Sequence, residues 1–309
     1  MVLAALIDVA LILLRILLSI VISILRCFIP APKKDVKGKI FLITGGASGL
    51  GRLMATKFAA LGGIIVIWDI NEQGNKSIQS EIRAAGGTAY TYIVDICNKD
   101  KIYEAADLVR KDVGDVDFLI NNAGIVSGKK LLDCSDNMIL KTMQINSIAH
   151  FWTTRAFLPK MMEKDEGHIV TIASTAGFFG VNRLIDYCTS KFAAVGFDES
   201  LRDELRIARS KVNTTVICPT YISTGMFEGS KFRFQSLMPV LTPEWVTDQI
   251  VDAVLRNQKM LCLPRTIPIM IFLKGLLPIE ATEAFSDLVG GSQSMEDFVG
   301  HTSATKKSS

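Results

Sequence analysis

Histidine is scarce in this chain, with three in 309 residues. His150, His168 and His301 share no spacing, so they are expected as structural or exposed residues and no metal is expected. Six cysteines, Cys27, Cys97, Cys134, Cys188, Cys218 and Cys262, are scattered without a C-x-x-C pair. That pattern argues against a zinc site or a disulfide scaffold and fits a reducing compartment. No block of five like charges occurs, and 34 Lys+Arg against 31 Asp+Glu leave a net charge of only +3. Nothing there tracks a phosphate backbone, so nucleic acid is not an expected partner. Charged residues make up 21% and hydrophobic residues 49%, which excludes a disordered or fibrous chain. Two N-x-S/T patterns, at Asn75 and Asn213, are short enough to arise by chance and are not expected to carry glycans.

What is abundant is apolar sequence at the N-terminus. The mean hydropathy of +0.32 is high for a soluble enzyme, and the first 29 residues, with Asp8, Arg15 and Arg26 as their charges, supply much of the excess. Val9 to Ile29 is nearly continuous in apolar residues and stops at Pro30-Ala31-Pro32, before Lys33, Lys34, Lys37 and Lys39. At 100° per residue Asp8, Arg15, Ser19, Ser23 and Arg26 fall within roughly an 80° stripe of a helix. Residues 1–35 therefore read as a membrane anchor and linker. A cleavable signal peptide is disfavoured, because the leading segment carries an acid and no A-x-A-like site follows.

After Lys39 short apolar runs alternate with longer amphipathic stretches. Strands are predicted at Lys39 to Ile43, Ile64 to Trp68, Ala89 to Val94, Phe118 to Ile120, His168 to Ala173 and Thr214 to Cys218, with a last one near Met260 to Leu263. Helices are predicted near Leu50 to Leu61, Glu72 to Ala85, Lys99 to Val113, Met138 to Met162 and Tyr187 to Ala208. This alternation implies an α/β fold, a doubly wound parallel sheet of the Rossmann-like kind, in one domain over 36–265. Residues 266–291 hold a second apolar stretch, broken by Pro268, Lys274 and Pro278 and expected to cover the site or touch a membrane. From 292 to 309 the chain is polar and is expected to be a frayed tail.

Directly after the first strand comes TGGASGLG, Thr44 to Gly51, opening a helix. Gly45, Gly49 and Gly51 permit a tight turn and close approach of a pyrophosphate to a helix N-terminus. Asp69 ends the second strand, where a carboxylate can accept from an adenosine ribose and would repel a 2′-phosphate. NNAG (Asn121 to Gly124) follows the fourth strand, Ser174 the fifth, and Tyr187 precedes Lys191 by one helical turn in YCTSK. Alone, each has a bland reading: a turn acid, a strand-end serine, an ordinary amphipathic pair.

Together, in this order, these segments resemble the short-chain dehydrogenase/reductase family over roughly Val36 to Leu263. The resemblance implies an NAD(P)-dependent enzyme, with NAD preferred because of Asp69. It assigns catalysis to Asn146, Ser174, Tyr187 and Lys191. Tyr187 would be the general base in alcohol oxidation, its pKa lowered by the Lys191 ammonium and the oxidised cofactor. Ser174 would bond the substrate oxygen, and Asn146 would hold a water linking Lys191 to solvent. Cofactor contacts are implied at Gly45, Ser48, Gly49, Leu50, Gly51, Asp69, Asp95, Asn122, Ala123, Gly124, Tyr187, Lys191, Pro219 and Thr224. Asp95 matches an acid beside the adenine, and Asn121 matches a sheet-stabilising asparagine. One departure stands out: the family's usual Pro-Gly after the sixth strand is Pro219-Thr220 here, which puts the mouth of the nicotinamide pocket in question. Arg183 and Met226 lie in segments that face either substrate or the surface.

The N-terminal apolar segment, the Pro-x-Pro-Lys-Lys junction, TGGASGLGRLMA, WDIN and Gly225 to Gly229 are similar to the membrane-associated branch containing epidermal retinol dehydrogenases and 17-beta-hydroxysteroid dehydrogenases. That implies a lipophilic alcohol (retinol, a steroid or a fatty alcohol) interconverted with its carbonyl at a lipid droplet or endoplasmic reticulum membrane, with the catalytic domain cytosolic. A homodimer through the helices around 138–162 and 187–208 is implied as well. Two readings from other classes stay open at this point: a lipid-droplet coat or recruitment protein, and a cofactor-binding sensor with little turnover.

Overall fold

The computed structural model describes residues 2–230, 233, 238–291 and 293–299. His301 and the tail from 300 onward lie outside the described residues. The chain divides into two units, Met1–Asp35 and Val36–Ser309.

The first unit holds helix α1 (Val2–Phe28). Its Ala5–Arg26 stretch is long and apolar enough to cross a membrane, and none of it is buried within the protein. At 1.5 Å per residue the whole helix is about 40 Å long, more than a hydrocarbon core of roughly 30 Å. Ser19 donates back to the carbonyl of Ile16 at 2.7 Å, which satisfies its hydroxyl without water.

The second unit is built on β1 (Ile40–Thr44), β2 (Ile64–Asp69), β3 (Thr88–Ile93), β4 (Phe118–Asn121), β5 (His168–Ile172), β6 (Asn213–Pro219) and β7 (Met260–Leu263). All neighbours pair in parallel, in the order β3-β2-β1-β4-β5-β6-β7. Strands buried on both faces read as nearly continuous apolar runs, and β1 is IFLIT with all five buried and only the last, Thr44, polar. Alternate residues divide between two cores. Phe41, Ile43, Ile65, Ile67 and Phe118 face one layer, while Leu42, Val66, Trp68, Leu119 and Ile169 face the other.

Helices α2 (Gly49–Ala60), α3 (Glu72–Ala84) and α8 (Pro243–Leu255) supply the first layer. The second comes from α4 (Lys99–Asp112), α6 (Ala149–Glu163) and α7 (Ile185–Ile207), with α5 (Asp136–Met143) packed on α7. Asn71, Asn98 and Ser135 cap α3, α4 and α5 by accepting from backbone N–H groups of the first turn. The chain leaves β1 toward one edge and returns at β4 toward the other, so a crevice opens at the carboxyl ends of these two strands.

The structure departs from the sequence reading at three places. The helix predicted from Met138 to Met162 is α5 and α6 joined by a π turn at Gln144–Ile148, which places Asn146 on a widened turn. Helix α8 was not predicted, although Pro243 at its start and Val246, Ile250 and Val254 on one face carry its signal. Residues 293–299, expected in a frayed tail, are packed: Met295 is fully buried against Leu184, Tyr187 and Cys188. The reason is that Met295 and Phe298 bring apolar surface to an otherwise polar segment. The apolar 266–291 segment forms α9 (Ile267–Leu276) and α10 (Ile279–Leu288), whose Ile269, Phe272, Leu276 and Ile279 remain exposed.

Candidate active site

The crevice encloses about 390 Å³ and is lined by the ends of β1, β2, β4, β5 and β6. Every residue implied as a cofactor contact lines it except Gly51, which lies just behind. Gly45 adopts φ +63° and donates to Trp68 O at 2.7 Å, so the turn demands glycine. A Cβ on Gly51 would sit 2.2 Å from Gly45 O and 2.6 Å from Asn122 Nδ2. The loop is thus folded tightly on itself, whereas Gly49 has nothing nearer than Thr224 at 4.0 Å and faces open space. Bare backbone at the start of α2 is a cradle for a pyrophosphate.

Thr44 organises this cradle. Its hydroxyl accepts from the backbone N–H groups of Asn122 and Ala123 at 3.0 and 3.1 Å. The Asn122 amide donates in return to Thr44 O and Gly45 O at 2.9 and 3.1 Å. The tie between the first and fourth strands is therefore made by Asn122. Asn121, matched to a sheet-stabilising asparagine, ends β4 and accepts from Thr153 of α6 at 2.7 Å, so it ties the sheet to that helix. Asp69 accepts from Ala47 N at 3.1 Å and Asn71 N at 2.9 Å, which aims its carboxylate into the crevice beside the glycine loop. Asp95 lines the same end and accepts from Cys97 N at 2.9 Å.

At the other end stand Ser174, Tyr187 and Lys191, all buried. Ser174 follows β5, accepts from Ala176 N at 3.1 Å and donates to Pro219 O at 3.3 Å. Tyr187 and Lys191 lie one turn apart on α7, with Lys191 Nζ over the tyrosine ring, 5.6 Å from its centre, and donating to Ile172 O at 2.8 Å. Burial pushes the Tyr187 phenol well above its usual value, with a hydrogen bond to Ser174 pulling the other way. Burial also lowers Lys191, to about 8. The lowering expected from the Lys191 ammonium together with the oxidised cofactor must therefore work against desolvation of the phenol.

Asn146 is fully buried behind these residues rather than lining the crevice. Its Oδ1 accepts from Ile125 N at 2.9 Å, and its two amide protons go to Ile125 O at 2.9 Å and Ser190 Oγ at 3.0 Å. The side chain thus pins the segment after NNAG to α7. Thr220 is buried, donates its backbone N–H to Leu263 O at 2.9 Å and lines the crevice, so the Gly-to-Thr departure stands in the wall of the site. Met226 lines the crevice, while Arg183 donates to Glu296 O at 3.2 Å and holds the 293–299 segment. Asp186, which sequence reasoning passed over, accepts from Ser127 at 2.8 Å and Thr142 at 2.9 Å and so ties the first turn of α7 to its surroundings. An acid in the first turn of a helix, next to the tyrosine, is the signal that was available. Asn75 is buried and donates to Asp69 O and Tyr92 O at 3.2 and 3.3 Å, which closes it to glycosylation in the folded protein. Among the described residues no cluster of three or more metal-ligating side chains occurs.

A glycine cradle at a strand-to-helix turn, an acid at the end of the next strand and a Ser-Tyr-Lys group across the crevice define a nicotinamide-dependent oxidoreductase. Residues 39–233 match the family described as short chain dehydrogenase, and the chain belongs to it. Within that family it is similar to epidermal retinol dehydrogenase 2 of Homo sapiens, at 46% identity over 285 residues and 92% of each chain. A short-chain dehydrogenase/reductase of Burkholderia phymatum solved with NAD superposes with a TM-score of 0.72 at 27% identity, over 79% of this chain and 95% of that one. A metagenomic short-chain oxidoreductase solved with NADP gives 0.62 at 26% identity, over 74% and 96%. The chain is an NAD(P)-dependent dehydrogenase.

Proposed function

We propose that this enzyme uses NAD to interconvert a lipophilic alcohol, of the retinol, steroid or fatty-alcohol kind, with its carbonyl at an endoplasmic reticulum or lipid-droplet surface. The observation that carries the substrate reading is the wall above Tyr187. Phe227 meets the Tyr187 ring edge-on at 5.4 Å, with Tyr221 at 5.1 Å and Phe298 at 6.4 Å from Phe227, and Met295 closes the cluster. An apolar wall with Ser174 and Tyr187 as its polar groups suits a long apolar alcohol presented hydroxyl first. The relative named retinol dehydrogenase supports the same class.

In this reading the glycine loop and the N-terminus of α2 hold the pyrophosphate, and Asp69 takes the adenosine ribose with Asp95 beside the adenine. Lys191 takes the second ribose, with Pro219 and Thr224 at the carboxamide. Bound there, the nicotinamide would supply a hydride acceptor and a positive charge. Ser174 orients the alcohol oxygen, and Tyr187 receives its proton. NAD is favoured over NADP because Asp69 would repel a 2′-phosphate, and because Arg52 is ion-paired with Glu81 and donates to Ser77 at 3.3 Å. The span-length α1, the exposed apolar residues of α9 and α10, and Lys33 to Lys39 on the cytosolic flank support the membrane setting. Two copies pairing through α6 and α7, where Phe151 and Phe192 stand exposed, complete the reading.

The test is full-length protein in phospholipid vesicles, assayed with NAD and NADP against retinol, a hydroxysteroid, a long-chain alcohol and ethanol. A lipophilic alcohol with NAD should be the best pair. Preference for ethanol, or no turnover with any of the four, overturns the proposal.

A further inference from the structure

Residues 294–299 are seated on the loops that follow β4, β5 and β6, and each loop is shaped to receive them. The loop after β4 presents Gly128 at φ +65°, where a Cβ would overlap the Phe298 ring. The loop after β6 presents Gly229 at φ +90°, where a Cβ would overlap Asp297 O. The loop after β5 presents Arg183, also at φ +65°, which donates to Glu296 O at 3.2 Å. A residue with a side chain rarely takes that conformation, and it persists where its surroundings impose it. At the two ends, the Ser294 and Tyr221 hydroxyls lie 3.4 Å apart, and Val299 N donates to Glu228 O at 3.0 Å. Consecutive residues are thus seated one by one.

The seat directs two apolar side chains inward. Met295 is fully buried among Leu184, Tyr187 and Cys188, and the Ser230 hydroxyl donates to its sulfur at 3.2 Å. Phe298 packs on the same cluster beside Val126 and Phe227. Neither Met295 nor Phe298 lines the crevice that runs from Asp69 to Ser174 and Tyr187. Its volume of about 390 Å³ is near the low end for a ligand pocket, and a dinucleotide extending from Asp69 to Tyr187 takes up its length. The apolar surface beside Tyr187 that the dinucleotide leaves is covered by Met295 and Phe298.

We propose that residues 294–299 are the resident occupant of the alcohol site: Met295 and Phe298 stand where the substrate's apolar chain binds, and the segment leaves its seat when the alcohol enters. The inference rests on the lipophilic-alcohol reading of the site. The exchange is apolar for apolar, since the chain covers the surface of Val126, Leu184 and Phe227 that the departing side chains expose. The polar ties that break lie at the surface: Glu228, Glu296 and Val299 are exposed, and water takes the place of their lost partners. Occupancy also sets the affinity. Only the fraction of enzyme whose seat is vacant binds a long alcohol, so the apparent affinity is reduced by that fraction, and side chains too small to fill the site restore it.

Hydrogen exchange of the full-length protein in phospholipid vesicles tests the release without any variant. The reduced cofactor accepts no further hydride, so it holds an alcohol unreacted in the site. The alcohol used is whichever of retinol, a hydroxysteroid and dodecanol the enzyme oxidises fastest. Amide exchange in 294–299, where Glu228 O holds the Val299 N–H, should be at least fivefold faster with reduced cofactor and that alcohol than with reduced cofactor alone. Unchanged or slower exchange shows a fixed wall and overturns the proposal. Met295→Ala with Phe298→Ala empties the site, and KM for the same alcohol should fall at least threefold. An equal or higher KM counts against the occupant, because removing part of a fixed wall weakens binding. Oxidation of none of the three alcohols sinks the functional reading and this inference with it, whereas oxidation with an unmoved segment sinks the inference alone.

Discussion

Gly51→Ala sets two effects against each other, and the structure decides the sign. Gly51 is in the first turn of α2, so alanine there gains up to about 1 kcal/mol of helix propensity. The new Cβ, however, would lie 2.2 Å from the backbone oxygen of Gly45 and 2.6 Å from Asn122 Nδ2. Neither neighbour is the free end of a flexible side chain. Gly45 is fixed by its bond to Trp68 O, and Asn122 by its bonds to Thr44 O and Gly45 O. Forcing a methyl into such a contact costs about 1–3 kcal/mol, and breaking the two Asn122 bonds adds about 1 kcal/mol each. The net expectation is a loss of about 2–4 kcal/mol, or roughly 4–16 °C in melting temperature for a domain of this size. The glycine loop is also displaced from its N–H geometry, so NAD affinity should fall at least tenfold. Thermal melts of the full-length protein give the first quantity, and quenching of protein fluorescence gives the second, since Trp68 lines the crevice. A variant that melts within a degree of wild type and binds NAD equally well would show that the loop is not closed on itself as described.

Tyr187→Phe keeps the ring but removes the proton acceptor; alcohol oxidation should fall at least a thousandfold while NAD binding, by fluorescence titration, stays near wild type. Asp69→Ala should narrow the ratio of kcat/KM for NAD over NADP at least tenfold, and an unchanged ratio would remove Asp69 from cofactor choice. The cofactor-free enzyme should carry a pH signature from Lys191, whose folded pKa of about 8 lies below its unfolded value near 10.4. Between these values the unfolded chain binds more protons, so wild-type stability rises with pH across that window. Lys191→Met should accordingly be more stable than wild type in urea melts at pH 7, with the difference shrinking by pH 10. Deletion of residues 1–29 should release the enzyme from membranes in a flotation assay, and full retention of membrane binding would move the anchor elsewhere.

Local pattern was enough to read the parallel sheet. Strands such as IFLIT and IIVIWD are apolar at every position but the last because both faces are covered, and each ends where a glycine, asparagine or acid turns the chain. The glycine cradle and the Tyr187-Lys191 pair were legible for a related reason: their spacing is set by one turn of backbone, which a linear sequence records directly. Other features depend on partners far along the chain. The bond from Asn122 to Gly45 spans 77 residues and the one from Arg183 to Glu296 spans 113. The packing of Met295 beside Tyr187 joins a segment that reads as polar tail to the active site. The raised phenol of Tyr187 and the lowered ammonium of Lys191 likewise reflect how deeply the folded layers bury them, which no spacing along α7 reveals. Conformation that one helical turn or strand alternation dictates was thus present in the sequence, whereas burial, and every charge or hydrogen bond that depends on it, was decided by tertiary structure, because burial is a property of what the rest of the chain brings alongside.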